Sequence, residues 1–208
     1  MSTVESWCRD SPVAAAKALK LGPKSIDELA NNVFRDADLM PAIERYTGVL
    51  YSATGVADWT PDQRDWAATH VFIHSALFGI ISSTDPIPAY RLSSDTKVAG
   101  RAVKEYWGEQ VGDAVREMAA GDWVLDARSG GYRDLAPIPA GVPNCYLDVV
   151  AANGGKALNH FNKIHKGELV ASLVAESPDL AAPDDLVNWA NSVGIDVRHT
   201  LDSIALLV

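Results

Sequence analysis

Apolar residues recur along the chain in two ways: at helical spacing in some stretches, and in short continuous runs bounded by turn residues in others. Ser11-Pro12 opens a helix carried by Ala14, Ala15, Ala16, Ala18 and Leu19 and stopped by Gly22-Pro23. Ser25-Ile-Asp-Glu28 has the form of a capping box for a second helix through Ile26, Leu29 and Val33, and Met40 to Tyr46 reads as a further helical turn or two. Thr60-Pro-Asp-Gln63 starts another helix through Trp66 to Ala68. The strongly apolar, β-rich run from His70 to Gly79 then reads as one buried strand. Lys97 to Met118 predicts a long helix weakened at Gly108, and Trp123 to Ala127 a short strand with a loop over Arg128–Tyr132. Tyr146 to Ala151 predicts a strand. The turn signal Asn153-Gly154-Gly155 pairs it with a second strand over Lys156–His160, which hands over to a helix near Asn162. Pro183 to Gly194 is a capped helix, and Ile195–His199 with Ser203–Val208 forms a closing hairpin. The expected architecture is α/β (α+β): one domain over residues 1–208 with a helical part at 1–40, and a central mixed sheet wrapped by helices. That sheet is expected to hold Val71–Leu77, Trp123–Leu125, Tyr146–Val150 and Lys156–His160 together.

Composition narrows the class. A chain of 208 residues, 48% apolar and 22% charged, has enough material for a substantial core. Its formal net charge of −9 repels nucleic acid on average, so a polyanion partner has to use a local basic patch. The N-terminus has neither a basic n-region nor an apolar h-region, and no apolar run reaches membrane-spanning length. Cys8 and Cys145 lie far apart with no CxxC or metal-ligand spacing. These features lead to the expectation of a reduced, cytoplasmic protein without membrane contact, metal or other cofactor; the oligomeric state is left open.

The chemistry concentrates in loops and at strand ends. His160-Phe-Asn-Lys163-Ile-His-Lys166-Gly167 packs two lysines and two imidazoles into eight residues of an otherwise acidic chain. On a helix, Lys163 and Lys166 stand one turn apart near its positive end, which suits a phosphate or carboxylate. The same spacing equally describes a solvated basic face beside a turn. Tyr90-Arg91, in the proline-rich loop after the His70–Gly79 run, offers a phenol and a fixed cation, or else an arginine that pins its loop to backbone carbonyls. Arg128-Ser129-Gly-Gly-Tyr132 combines charge with a glycine pair whose amides can approach an oxyanion. Neither a GxxxxGK[ST] nor a GxGxxG pattern is present, and Ser129 lies in no GxSxG elbow. His70 and His74 are read as structural, because no carboxylate or cysteine stands beside them to complete a metal site. The candidate anion site therefore comprises Arg91, Arg128, Ser129, Tyr132, Lys163 and Lys166. Lys163, Lys166, His160 and Tyr90 are the candidates for catalytic groups.

Five motifs occur together in order: Arg45-Tyr-Thr-Gly-Val-Leu-Tyr51, Ser75-Ala-Leu-Phe-Gly79, Asp85-Pro-Ile-Pro-Ala-Tyr-Arg-Leu-Ser93, Arg128-Ser-Gly-Gly-Tyr132 and His160-Phe-Asn-Lys with Lys166-Gly167. With them the chain resembles the YaaA-like family of bacterial peroxide-stress proteins from about Leu19 onward. The resemblance implies a positively lined cleft, a helix-hairpin-helix-like DNA-binding element, and a role in limiting free iron during hydrogen peroxide stress. It attaches no firm enzymatic reaction. The chain departs from the family pattern in three places. The usual first strand with its lysine loop is not seen, Ser82-Ser83 replaces Arg-Pro, and Ala171 stands where a basic residue is usual. Each departure removes a cation, and phosphate contacts dominate nucleic-acid affinity. Three readings follow from this: a stress-response protein binding double-stranded DNA or another polyanion, an enzyme acting on a small anionic metabolite such as a nucleotide or amino-acid derivative, and a degenerate paralogue acting as an interaction protein.

Overall fold

The computed structural model describes residues 1–151, 159–201 and 203–208, with the backbone alone at Asn159 and His160. In chain order it begins with α1 (Ser2–Asp10), α2 (Pro12–Ala18), a 3-10 helix (Ile26–Asn32), β1 (Leu39–Pro41), α3 (Ala42–Arg45), α4 (Val49–Ser52) and a 3-10 turn (Val56–Asp58). There follow α5 (Pro61–His70), β2 (Phe72–Ser75), β3 (Gly79–Ser82), β4 (Pro86–Pro88), β5 (Lys97–Val98) and β6 (Arg101–Ala102). The remainder is α6 (Val103–Trp107), α7 (Gln110–Ala119), β7 (Val124–Asp126), α8 (Gly130–Leu135), β8 (Asn144–Val150), α9 (Asn159–Glu176), α10 (Pro183–Ser192), β9 (Val197–His199) and β10 (Ser203–Leu207). Among the described residues no helix is long and apolar enough to cross a membrane.

The fold is mixed α/β, and its largest sheet has the order β7-β8-β10-β9. β8 runs parallel to both β7 and β10, whereas β9 is antiparallel to β10. Along β8 the alternation is regular. Cys145, Leu147 and Val149 are buried in a core shared with Leu169, Leu186, Ala190 and Val197, while Asn144 and Asp148 are exposed. Period-two burial of this kind places the side chains of Tyr146 and Asp148 on the other face. A second core joins α1 and α2 to Leu77, Leu92, Val98 and Val103, and a third gathers Ala42, Ile43, Ile73 and Ile87.

Local signals hold in several places. Thr60 and Gln63 make a reciprocal capping box at the start of α5, α10 starts at Pro183, and the closing hairpin forms as β9 and β10. Other expectations are corrected. The 70–79 run is not a single strand. His70 ends α5, and β2 and β3 form an antiparallel hairpin separate from the four-stranded sheet. At the reversal the Ser75 hydroxyl accepts from the Leu77 and Phe78 amides, and Gly79 takes a positive φ of 76° against the ring of the distant Trp107. The expected long helix over 97–118 is a β5–β6 hairpin followed by two helices, split where Gly108 turns to φ 54°. Residues 26–32 form a 3-10 helix, because the Ser25 hydroxyl bonds back to Gly22 and no side-chain cap forms. The neighbours of β8 are parallel strands, joined through helical crossovers, where a hairpin partner was expected. Of that expected partner, 156–158 lie outside the described residues. Asn159 and His160 open α9, so His160 belongs to the helix and does not end a strand. Finally, α1 was not anticipated; it buries Val4 and Cys8.

Candidate functional site

The carboxyl end of β7 organises the cations. Asp126 is its last residue and is 5% exposed; the chain then passes Ala127, Arg128 and Ser129 into α8, so the stretch read as a loop is half helix. Arg128 folds back on Asp126. Its Nε donates to Oδ1 at 2.8 Å, its Nη2 to Oδ2 at 2.9 Å, and its backbone amide to Oδ1 at 3.1 Å. Its Nη1 donates to the Ala136 carbonyl at 2.9 Å and to His74 Nδ1 at 3.0 Å. Burial alone would raise the Asp126 carboxyl and is the largest single influence on it. The Arg128 bonds and charge, with Arg133 adding to them, outweigh burial and hold the group below its usual range.

His74, on β2, is 8% exposed. Burial, with the Arg128 charge behind it, lowers its imidazole to about 4, and Asp126 only partly opposes this. The ring is therefore neutral at pH 7. Accepting from Arg128 at Nδ1 leaves the proton on Nε2, a buried donor with no hydrogen-bond partner among the described residues. Tyr132 of α8 meets the His74 ring edge-on at 5.2 Å.

Lys166 comes to this place from α9. It is 3% exposed, and its Nζ donates to the Ala127 carbonyl at 3.1 Å and more weakly to the Tyr146 hydroxyl at 3.4 Å. The ammonium also stands 4.7 Å from the centre of the Tyr146 ring, and the Arg133 guanidinium 4.0 Å from the same centre. Arg133 Nε lies 3.8 Å from Asp126 Oδ2. Burial is the main reason that Lys166 falls to about 8; Asp148 and Asp126 oppose the fall, and Arg133 adds to it. The helix reaches this depth because of Gly167: a Cβ there would sit 2.7 Å from Ala53 Cβ and closer still to the Leu50 carbonyl, so α9 crosses α4 backbone to backbone.

Tyrosines form the adjoining layer. Tyr90 Oη shares hydrogen bonds with Tyr46 Oη at 2.7 Å and with Ser75 Oγ at 2.8 Å, and Tyr51 stacks on Tyr46 at 4.8 Å. Burial raises the hydroxyls of Tyr46, Tyr51, Tyr90 and Tyr132, the last to about 12. The 90–95 loop touches α8, since a Cβ on Gly131 would lie 3.0 Å from Ser94 Oγ, and the charge of Arg91 acts on Tyr132.

The site residues expected from the sequence thus fall into different settings. Arg128 and Lys166 are held in one network around Asp126 and Tyr146, and Tyr132 closes on His74 beside them. Ser129 occupies the position before α8 and is exposed. Lys163 is exposed on α9, one turn before Lys166. Tyr90 is committed to the tyrosine layer. Arg91 Nε stands 3.0 Å from Glu28 Oε2 as a half-exposed ion pair out of line for a hydrogen bond, while the Arg91 backbone is clamped by the Asn32 amide. The His160 side chain lies outside what is described. Sequence reasoning missed Arg133 and Tyr146 and took His74 as merely structural; Asp126 was legible only as a local carboxylate able to neutralise a nearby cation, which is what it does for Arg128. Arg133 was within reach, one helical turn beyond Ser129, and Tyr146 follows from strand alternation. Nothing in the sequence announces the contact of His74 with Arg128.

These features define a mixed α/β protein with a cation-and-tyrosine site at the carboxyl end of a parallel strand. The chain belongs to the family described as peroxide stress protein YaaA, whose family model matches residues 3–196. It is 35% identical over 184 residues to a UPF0246 protein of Corynebacterium efficiens, covering 86% of this chain and 71% of that one. A UPF0246 protein of Corynebacterium glutamicum is 34% identical over 89% of this chain and 76% of its own length. One from Streptomyces coelicolor is 33% identical over 92% and 75%.

Proposed function

We propose that this peroxide-stress family member binds an anionic ligand, through a phosphate or carboxylate group, between Lys166 and Arg133 over the Tyr146 ring. The observation that carries the reading is the state of Lys166. Its ammonium is 3% exposed and, among the described residues, has only a carbonyl and a phenol as direct acceptors. A cation held so far from water gains from an incoming anion what burial has cost it. Arg133 is half exposed, so its guanidinium is accessible to the same ligand and offers a planar fork. Arg128 is already neutralised by Asp126 and serves as scaffold. With Lys166 near 8, a small metabolite bound here would meet a group able to give or take a proton near neutral pH.

Double-stranded DNA is the second reading, favoured by Lys163, which extends the cations of α9 outward into solvent. The net charge of −9 weighs against it. Calorimetric titration with inorganic phosphate, and with a short duplex across a salt series, separates the two. The first reading expects phosphate binding that Lys166→Met and Arg133→Gln abolish. The second expects duplex binding whose salt slope falls by about one contact in a Lys163→Ala variant, because Lys163 is the exposed lysine of the pair. Failure of phosphate, a nucleotide and duplex alike to bind would refute both.

A further inference from the structure

Away from Lys166, the edge of the four-stranded sheet brings together a thiol, an imidazole and a carboxylate. Cys145 on β8 and His199 on β9 face the same side of the sheet, the side covered by α10. Cys145 Sγ lies 3.8 Å from His199 Nε2, and His199 Nδ1 lies 2.7 Å from Asp184 Oδ1 in the first turn of α10. These three residues are far apart in sequence, and β10 stands between the strands of the first two.

We propose that Cys145, His199 and Asp184 form a reactive-thiol site that takes a small hydroperoxide, hydrogen peroxide in the first instance. The geometry assigns the roles. At 2.7 Å Asp184 accepts from His199 Nδ1–H, which fixes the tautomer and leaves the Nε2 lone pair towards sulfur. Nε2 takes the thiol proton and the thiolate faces an imidazolium oriented by a carboxylate, the arrangement by which cysteine nucleophiles are activated. The thiolate attacks one peroxide oxygen, so an S–O bond forms as the O–O bond breaks. The leaving hydroxide takes the proton from His199 Nε2 and departs as water. Sulfur is oxidised by two electrons to a sulfenic acid, the peroxide is reduced, and the imidazole returns to its neutral form.

Access selects the electrophile. Cys145 is 8% exposed, beneath an imidazole that is 36% exposed and a carboxylate that is 78% exposed. With so little of the thiol exposed, a molecule the size of a peroxide suits it better than a bulky substrate. Asp184 acts through His199 and is a positioning residue. The chain also carries its own control in Cys8, which is 5% exposed, accepts a weak bond from the Asn32 amide, and has its thiol raised chiefly by burial.

The test treats the native full chain with hydrogen peroxide in the presence of dimedone and follows adducts by peptide mass spectrometry. One adduct is expected, at Cys145, with Cys8 unmodified over the same time. His199→Gln and Asp184→Asn should slow it on the order of tenfold or more, and Asp184→Glu should restore much of the rate. Asp184 is largely exposed, so its variants should fold as the wild type does, and circular dichroism checks this. Equal labelling of Cys8 and Cys145, no adduct at Cys145, or a Cys145 rate indifferent to the Asp184 variants would each overturn the proposal. None of these outcomes bears on anion binding at Lys166.

Discussion

Replacing Lys166 by Met removes a buried charge while keeping most of the side-chain volume, and the consequence can be worked out from the structure. The folded ammonium ionises at about 8, against 10.5 for an ordinary lysine. At ~1.4 kcal/mol for each tenfold in acidity, carrying the charge in the fold costs about 3 kcal/mol relative to the unfolded chain. The sign follows from where the proton sits. Below pH 8 the lysine is charged in both states and the whole cost is present. Between pH 8 and about 10.5 the unfolded chain binds a proton that the folded chain does not, so stability rises with pH. Above that range both states are neutral and the gain is complete. Methionine abolishes this dependence. It also loses the bonds to the Ala127 carbonyl and the Tyr146 hydroxyl, about 1 kcal/mol each, so the two proteins should differ little at pH 7. Urea unfolding at intervals from pH 7 to 10.5 reads the difference. Wild type should gain about 3 kcal/mol on the Lys166→Met variant across the window, while the tyrosines titrate in both and largely cancel. Saturating phosphate, if it binds, should move the gain to higher pH by stabilising the ammonium. A difference that stays flat across the window would show that Lys166 is solvated or paired, and would remove the basis for the anion site.

His74 is expected to stay neutral, with its proton on Nε2, down to about pH 4, and nitrogen-15 NMR of the imidazole checks both points. Because its folded value is depressed, stability should fall as pH drops from about 6.5 towards 4, by up to about 3 kcal/mol from this group. Gly167→Ala drives a methyl into the Leu50 carbonyl and Ala53, and should cost about 1–3 kcal/mol in urea unfolding as α9 and α4 separate; an unchanged midpoint would refute the close crossing.

What the sequence by itself determined are the features whose causes lie within a few residues. The Thr60–Gln63 box, the start of α10 at Pro183 and the β9–β10 hairpin depend on capping and turn chemistry that no distant residue alters. The helical placement of Lys163 and Lys166 was legible for the same reason. Only the tertiary structure decided which apolar run becomes a hairpin and which joins the large sheet. His70–Gly79 and Tyr146–Ala151 look alike as sequences, yet Ser75 and Trp107 turn the first back on itself while β7 and β10 flank the second. The site follows the same division. Arg128 and Asp126 are two residues apart, but His74 reaches them from 54 positions away, and Lys166 becomes a poor base or a poised one according to what covers it. Cys145, His199 and Asp184 carried no signal at all, because a proton relay across a sheet is set by strand order, and strand order is settled by the burial of whole faces, not by any local motif.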